Sequence, residues 1–201
     1  PSNTGATELW GGTNWTEVND LNNARQLITG GGTTTSTLAF GGWNPYKAET
    51  ESWNGTNWTE VNDLNTARYY QAGYGADNTE GLCFGGIDAP GGSVTGKTES
   101  FNETNWTEVN DLNTARYALA GGGSATSGLA FGAEPASALT EQWNGTSWTE
   151  VADLATARYE LMGAGTSNAY GGGIFATGGG SYLTVTEEWT GAGAPAGAWT
   201  T

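Results

Sequence analysis

Arginine and acidic side chains recur at regular positions along this chain of 201 residues. Each repeat carries an arginine, a Thr-Glu pair and an aspartate ahead of the arginine. An arginine can hold a carboxylate through two parallel hydrogen bonds, so paired charges are the first chemistry that this pattern predicts. A catalytic carboxylate pair should occur once, whereas these residues occur in every repeat. We therefore predict a structural role for the arginines, which are Arg25, Arg68, Arg116 and Arg158.

The composition argues against an enzyme. The chain contains no histidine and one cysteine, so it lacks the commonest general base and metal ligand. Glycine-rich stretches such as 30–32 and 178–180 do not fit a nucleotide-binding loop, because no Lys-Ser/Thr closes them. Cys83 takes a position where the other repeats place Ala39, Ala130 and Ala169, which favours a small core residue over a reactive thiol. We predict no catalytic residue, no metal site and no cofactor.

The elements that must position these residues are units of one repeated sequence. Residues 53–68 recur almost unchanged, and successive repeat arginines are separated by 43, 48 and 42 residues. Periods of this length are typical of propeller blades and solenoid units. The many glycines and tryptophans, 34 and 10, favour short strands and tight turns over helices.

Four short strands are predicted in each unit. Strand 1 follows the arginine (26–29, 69–72, 117–120 and 159–162) and is ended by glycines, and strand 2 ends before a glycine (38–40, 82–84, 129–131 and 169–170). Strand 3 is the Thr-Glu-x-aromatic segment, and strand 4 is Trp-Thr-Glu-Val. Asn54-Gly55 predicts a tight hairpin with a loop of two or four residues between strands 3 and 4. Either length places Trp53 and Trp58 on the same face of the sheet.

The order of these features resembles the kelch motif: an arginine, a strand, Gly-Gly, a strand ending in Phe-Gly-Gly, a variable loop, Glu-x-Trp and a second tryptophan. The Gly-His and Trp-Asp signatures of WD40 blades are not present. The resemblance implies an all-β, kelch-like β-propeller of four-stranded antiparallel blades. It extends over residues 6–201. The near-identical sequences of the repeats also resemble kelch-like proteins of marine bacteriophage and their hosts.

We expect one domain, residues 1–201, with about five blade positions. An N-terminal half blade (6–24) holds only strands 3 and 4, and four full blades follow at 25–67, 68–115, 116–157 and 158–201. Three explanations for the half blade remain open: a five-bladed ring with one incomplete blade, a fragment of a longer array, or completion by a neighbouring chain. The predicted inter-blade core contains repeat tryptophans, namely Trp53, Trp58, Trp106, Trp143 and Trp148.

The loops between strands 2 and 3 differ from unit to unit while the remaining sequence is constant. Such variation on a constant scaffold is typical of a binding face. Trp43 and Tyr46 lie in a loop with proline and could stack on sugar rings or on an apolar partner group. The candidate ligand-binding residues in these loops are Trp43, Tyr46, Lys47, Asp88, Glu134, Phe175 and Tyr182. In kelch proteins the loops joining strands 2 to 3 and 4 to 1 gather on one face, where arginines can hold acidic partners; the resemblance implies this alternative role for the repeat arginines.

The net charge of −15 makes binding to nucleic acid or to an anionic membrane surface unfavourable. We also expect no membrane insertion, because no segment is long and apolar enough. These observations predict a non-enzymatic binding or adhesion module, extracellular or on a virion surface, that recognises a glycan or a protein. The alternative is a structural scaffold subunit of a larger assembly, and a propeller hydrolase ranks third. Other subunits are expected to dock at the half blade 6–24, whose open strand edge is not protected by lysine or proline.

Overall fold

The structure, a computed structural model, describes residues 3–165, 173–180, 183–191 and 198–201. No helix occurs in those residues, so none there could cross a membrane. Strands form a two-stranded half sheet at the N-terminal end and then four four-stranded antiparallel sheets, here called sheets A to D in chain order. In each of these, neighbouring strands follow one another along the chain, apart from two short strands inserted in the loop of sheet B.

The strand bounds show how regular the units are. The half sheet contains β1 (Thr7–Trp10) and β2 (Trp15–Val18). Sheet A contains β3 (Thr29–Thr33), β4 (Ser36–Phe40), β5 (Thr50–Trp53) and β6 (Trp58–Val61). Sheet B contains β8 (Ala72–Asp77), β9 (Glu80–Phe84), β12 (Thr98–Phe101) and β13 (Trp106–Val109). A small sheet of β7 (Arg68–Tyr69), β10 (Ile87–Asp88) and β11 (Ser93–Val94) joins the linker that precedes sheet B to the loop between β9 and β12.

Sheets C and D repeat the same arrangement. Sheet C contains β14 (Ala120–Ser124), β15 (Ser127–Phe131), β16 (Thr140–Trp143) and β17 (Trp148–Glu150). Sheet D contains β18 (Met162–Ala164), β19 (Ile174–Thr177), β20 (Thr186–Trp189) and β21 (Trp199–Thr200). The predicted third and fourth strands of every unit are thus confirmed in type and position.

In sheet A the hairpin between the third and fourth strands has a loop of four residues, 54–57. Trp53 lies directly opposite Trp58 across this hairpin, with ring centroids 5.4 Å apart. The side-chain oxygen of Asn54 accepts hydrogen bonds from the backbone N–H groups of Thr56 and Asn57, and Gly55 adopts a φ of 89°. The prediction that both tryptophans share a face is confirmed, and the loop length that the sequence left open is settled.

The prediction of the first strand was wrong in its bounds. In sheet A the strand begins at Thr29, the last residue of the predicted segment, and continues through the glycines that were expected to end it. The residues just before the strand adopt left-handed backbone conformations, such as φ 55° at Leu27 and at Tyr70. Glycine is needed inside the strand because the first strands of neighbouring sheets approach closely: a Cβ on Gly31 would lie 2.3 Å from the backbone nitrogen of Gly75.

The second strand of the last unit was also misplaced. Its predicted position, 169–170, lies outside the described residues. The structure forms the strand at Ile174–Thr177, a segment that we had predicted to be loop. In the strand register Ala176, rather than Ala169, corresponds to Cys83, since each lies opposite the repeat glutamate.

The hydrophobic core lies between successive sheets. Each of its three clusters combines second-strand residues of one sheet with tryptophan or phenylalanine side chains of the next sheet. The tryptophan of each fourth strand also donates an indole hydrogen bond to the third-strand threonine of the preceding sheet. These bonds are Trp58 to Thr7 (3.2 Å), Trp106 to Thr50 (3.0 Å), Trp148 to Thr98 (3.0 Å) and Trp199 to Thr140 (3.2 Å).

The array of sheets is not closed. Trp10 and Trp15, which occupy the repeat tryptophan positions of the half sheet, are 46% and 63% exposed. These two side chains are therefore not buried between sheets as their counterparts are. The fold is all-β and consists of several four-stranded antiparallel sheets, as the sequence predicted.

Replacing Trp148 with Ala tests the packing between sheets. Trp148 is 5% exposed and contacts Phe84 of the preceding sheet, with ring centroids 4.9 Å apart. Loss of a buried aromatic side chain leaves a cavity, so we expect the free energy of unfolding to fall by about 3–5 kcal/mol in urea denaturation. Trp15→Ala, at the equivalent but exposed position, is the matched control and should cost under about 1 kcal/mol. Equal losses would contradict the assignment of the core.

Replacing Glu103 with Gly tests backbone strain in a hairpin turn. Glu103 adopts a φ of 74° at the position where three other hairpins have Gly12, Gly55 and Gly145, at 89°, 89° and 90°. A residue with a Cβ is strained in this region, so Glu103→Gly should raise the free energy of unfolding by about 1 kcal/mol. Gly145→Ala is the reciprocal control and should lower it. A stabilising Gly145→Ala change would refute the explanation.

Candidate functional site

The variable loops and the arginine-containing linkers lie on one face of the array. Trp43 and Gln26 exchange two backbone hydrogen bonds, of 2.7 and 3.2 Å. In the next unit β7 pairs with β10, which places Asp88 opposite Arg68. Glu134 donates its backbone N–H to the carbonyl of Tyr117 at 2.9 Å. Each loop between the second and third strands is thus fixed to a linker by backbone pairing.

An unbroken run of aromatic rings crosses this face, and we call it the aromatic stripe. Trp43 contacts Tyr46 and Tyr69, with ring centroids 4.9 and 4.7 Å apart. Tyr46 and Tyr69 are 5.4 Å apart. The run continues from Tyr69 to Tyr70 at 5.3 Å and from Tyr70 to Tyr117 at 6.0 Å. All five side chains are half-buried, so each keeps part of its surface open to solvent.

Tyr70 of the stripe also lines a pit beside the residues that precede the first strands of sheets A to D. This cavity has a volume of about 310 Å³ and is lined by Leu27, Ile28, Tyr70, Gln71, Ala118, Leu119, Glu160 and Leu161. Gln71 is 6% exposed and donates its side-chain N–H to the carbonyl of Phe40, while its buried Oε1 has no hydrogen-bond partner among the described residues. Burial, followed by the nearby Glu160 carboxylate, raises the pKa of the Tyr70 hydroxyl. The pit therefore combines apolar walls with the Tyr70 hydroxyl and the Glu160 carboxylate.

Every cation of the chain is engaged in an ion pair. Lys47 pairs with Glu49 at 2.6 Å, and Lys97 pairs with Asp88 at 3.4 Å. The four arginines pair with the third-strand glutamates. With a net charge of −15 and all six cations paired, this face offers no uncompensated positive charge to an anionic ligand.

Of the residues predicted to bind a ligand, the structure brings Trp43 and Tyr46 together in the stripe. Lys47, Asp88 and Glu134 lie in or beside the loops of the same face, and the first two are held by the ion pairs described above. Glu134 is half-buried, and its Oε2 has no hydrogen-bond partner among the described residues.

Two residues of that prediction do not join the site. Phe175 was assigned to a loop, which is wrong: it lies within β19 and is 39% exposed on the outer face of sheet D. Its environment differs because the unit forms its second strand later in the chain than expected. Tyr182 lies outside the described residues.

The sequence analysis missed three members of the stripe, namely Tyr69, Tyr70 and Tyr117. We had assigned them to the first strand of their units. One signal was present: the residue after the repeat arginine is tyrosine in three of the four units. A residue that repeats beside a structural arginine was taken as part of the scaffold, although its ring projects onto the loop face.

The repeat arginines belong to buried polar clusters centred on the third-strand glutamates. Glu99 is fully buried and pairs with Arg68. It also accepts hydrogen bonds from the backbone and side-chain N–H groups of Asn65, at 2.6 and 2.8 Å, and from the backbone N–H of Thr66 at 3.3 Å. The same cluster forms around Glu51 and Glu141, and around Glu187 without the asparagine amide, because Ala155 takes that position. The predicted pairing of arginine with a repeat carboxylate is confirmed.

Cys83 lies in an environment that disfavours its thiolate form. Burial raises the pKa of the Cys83 thiol to about 12, so the thiol is protonated at neutral pH. Within the described part of the chain, no group of three or more His, Cys, Asp or Glu side chains is placed to hold a metal ion.

No protein-family model matches the chain, and no curated protein sequence matches it significantly. Its class therefore rests on the fold itself: an all-β repeat protein built from four-stranded antiparallel sheets.

Replacing single arginines with Met tests the polar clusters. Arg68→Met leaves Glu99 buried without its cation, so we expect unfolding in urea to require about 3–5 kcal/mol less free energy. Arg116 is the matched position, but its contact with Glu141 is longer, 3.3 Å, and its Nε and Nη1 atoms have no hydrogen-bond partner among the described residues. Arg116→Met should therefore cost less than Arg68→Met. The opposite ranking would show that the number of satisfied hydrogen bonds does not set the stability of these clusters.

Proposed function

We propose that this protein is a kelch-like β-propeller with about five blade positions, acting as a non-enzymatic binding module. In this proposal sheets A to D are blades, the half sheet is an incomplete blade, and the variable loops form the binding face. The proposed ligand is a neutral glycan, and the proposed setting is extracellular or on a virion surface.

The aromatic stripe is the observation that carries this proposal. Sugar rings present apolar C–H faces that stack on Trp and Tyr, while their hydroxyl groups need hydrogen-bond donors and acceptors. The stripe offers a series of half-buried rings, and the pit that Tyr70 lines offers the Tyr70 hydroxyl. The chain is acidic and all six of its cations are engaged in ion pairs. This charge distribution favours an uncharged glycan over a sulfated or phosphorylated one.

The test is binding of the full chain to an array of neutral and anionic oligosaccharides, followed by titration of the best neutral probe. We expect Trp43→Ala and Tyr69→Ala to weaken binding by at least about tenfold, which corresponds to about 1.4 kcal/mol. Trp15→Ala, which removes an exposed tryptophan elsewhere, should leave binding unchanged. Melting temperatures of the variants separate loss of binding from loss of folding.

Two outcomes would end the glycan proposal. One is an array on which no neutral oligosaccharide binds. The other is undiminished binding by folded Trp43→Ala and Tyr69→Ala chains, which would place the site elsewhere.

A structural scaffold subunit is the second candidate. The exposure of Trp10 and Trp15 favours it, because these side chains occupy positions that are buried between sheets elsewhere in the chain. In that case the repeats would serve packing between subunits, and the loop face would bind no soluble ligand.

A further inference from the structure

A cavity of about 330 Å³ lies between the half sheet and sheet A. We call it the edge slot. Its walls come from both sheets and are mainly apolar: Leu9, Trp10, Trp15 and Val18 on one side, Trp53 and Trp58 on the other, with a floor that includes Gly32 and Thr37.

At the three other junctions the equivalent space is filled by the second strand of the preceding sheet. A fully buried phenylalanine of that strand contacts the tryptophan of the next sheet edge-on. The pairs are Phe40 with Trp106 (4.8 Å), Phe84 with Trp148 (4.9 Å) and Phe131 with Trp199 (4.9 Å). Trp58 has no such phenylalanine, and it is half-buried where its counterparts are 4–9% exposed.

The half sheet nevertheless lies at the normal position for a preceding sheet. Trp58 donates its indole hydrogen bond to Thr7 at 3.2 Å, as Trp106 does to Thr50 at 3.0 Å. The slot is thus not the result of a displaced hairpin. It has the place and the surroundings of one missing strand.

The edge of β1 faces this slot. In sheet A the third strand pairs with the fourth on one side and with the second on the other. Among the described strands β1 pairs with β2 alone. Its second edge therefore presents backbone N–H and C=O groups, which an extended segment can satisfy by adding a strand.

We propose that the edge slot binds an extended segment of another polypeptide that carries the pattern Leu, small residue, Phe. The register of the complete sheets defines this pattern, since Phe40, Ala39 and Leu38 lie opposite Thr50, Glu51 and Ser52. Transferred to β1, the phenylalanine lies opposite Thr7, the small residue opposite Glu8 and the leucine opposite Leu9. The segment runs antiparallel to β1, and its phenylalanine contacts Trp58.

Leu9 makes the slot more apolar than the other junctions. The equivalent residues, opposite the second-strand leucine, are Ser52, Ser100 and Gln142. A leucine at this place adds an apolar contact for the leucine of the incoming strand. The chain itself provides the pattern for a probe, because three of its own second strands read Leu-Ala-Phe, Leu-Cys-Phe and Leu-Ala-Phe.

The experiment uses the full 201-residue chain, labelled with ¹⁵N, and a capped peptide with the sequence of residues 36–42, Ser-Thr-Leu-Ala-Phe-Gly-Gly. One strand buries little area, so the titration extends to about 1 mM peptide, which detects binding of about −4 kcal/mol. We expect saturable shifts of the backbone amides of residues 7–10 and of the Trp58 indole. The matched control peptide, Ser-Thr-Ala-Leu-Phe-Gly-Gly, has the same composition, but its leucine and phenylalanine are adjacent and therefore point to opposite faces of a strand.

Two variants of the chain complete the design. Leu9→Asp places a charge in the slot and should weaken binding at least about tenfold, a loss of about 1.4 kcal/mol. Val94→Asp, at an apolar residue that is 44% exposed and lies outside the slot, should leave binding unchanged. Neither side chain is buried, so both variants are expected to fold.

Three results would overturn the proposal: no saturable shift with the first peptide, equal binding of the control peptide, or full binding by a folded Leu9→Asp chain. A dimer in light scattering, with the amides of residues 7–10 protected in the chain alone, would also overturn it. That result would mean that a second copy occupies the slot. None of these measurements involves the aromatic stripe, so failure of the glycan proposal leaves this one intact.

Discussion

The buried pairing of a repeat arginine with a third-strand glutamate is the interaction on which the rest of the structure depends. Two charges removed from water are destabilising unless their hydrogen-bonding groups are satisfied. Around Glu99 the linker satisfies them with the Arg68 guanidinium, two backbone N–H groups and the Asn65 amide. This cluster fixes the linker that enters a sheet to the third strand of that sheet. The cluster thereby positions the first strand and the loop face. It also places Tyr69 and Tyr70, which directly follow Arg68.

A second constraint acts between sheets. Indole hydrogen bonds from each fourth-strand tryptophan to a threonine of the preceding sheet set the distance between neighbours, and the apolar clusters fill the space. Between the first strands of neighbouring sheets there is no room for side chains: a Cβ on Gly163 would lie 2.2 Å from the carbonyl oxygen of Gly121. Glycines in the first strands and tryptophans in the third and fourth strands therefore both serve the packing of one sheet on the next.

The parts of the fold that local pattern controls were predictable from the sequence. The Trp-Thr-Glu-Val segments alternate clearly, and Asn54-Gly55 identifies the turn. The first strand was misassigned because glycine was read as a strand breaker, whereas Gly31 is required by the approach of a neighbouring sheet, which only the tertiary structure reveals. Only part of the candidate site could be predicted, because the rest depends on contacts that form in the tertiary structure. Trp43 and Tyr46 belong to one loop, but their contact with Tyr69 joins residues from a loop and a linker that are not adjacent in sequence.

The contacts between sheets have a direction. Every indole hydrogen bond that joins two sheets points from a later sheet to an earlier one, so the two ends of the array are chemically different. The repeat boundary also lies where each arginine cluster joins a linker to the sheet that follows it. Duplication or loss of one whole unit at this boundary would recreate the same contacts at the new junction, with no compensating change elsewhere. The number of units can therefore vary by recombination between near-identical repeats, while the loop of each unit diverges independently.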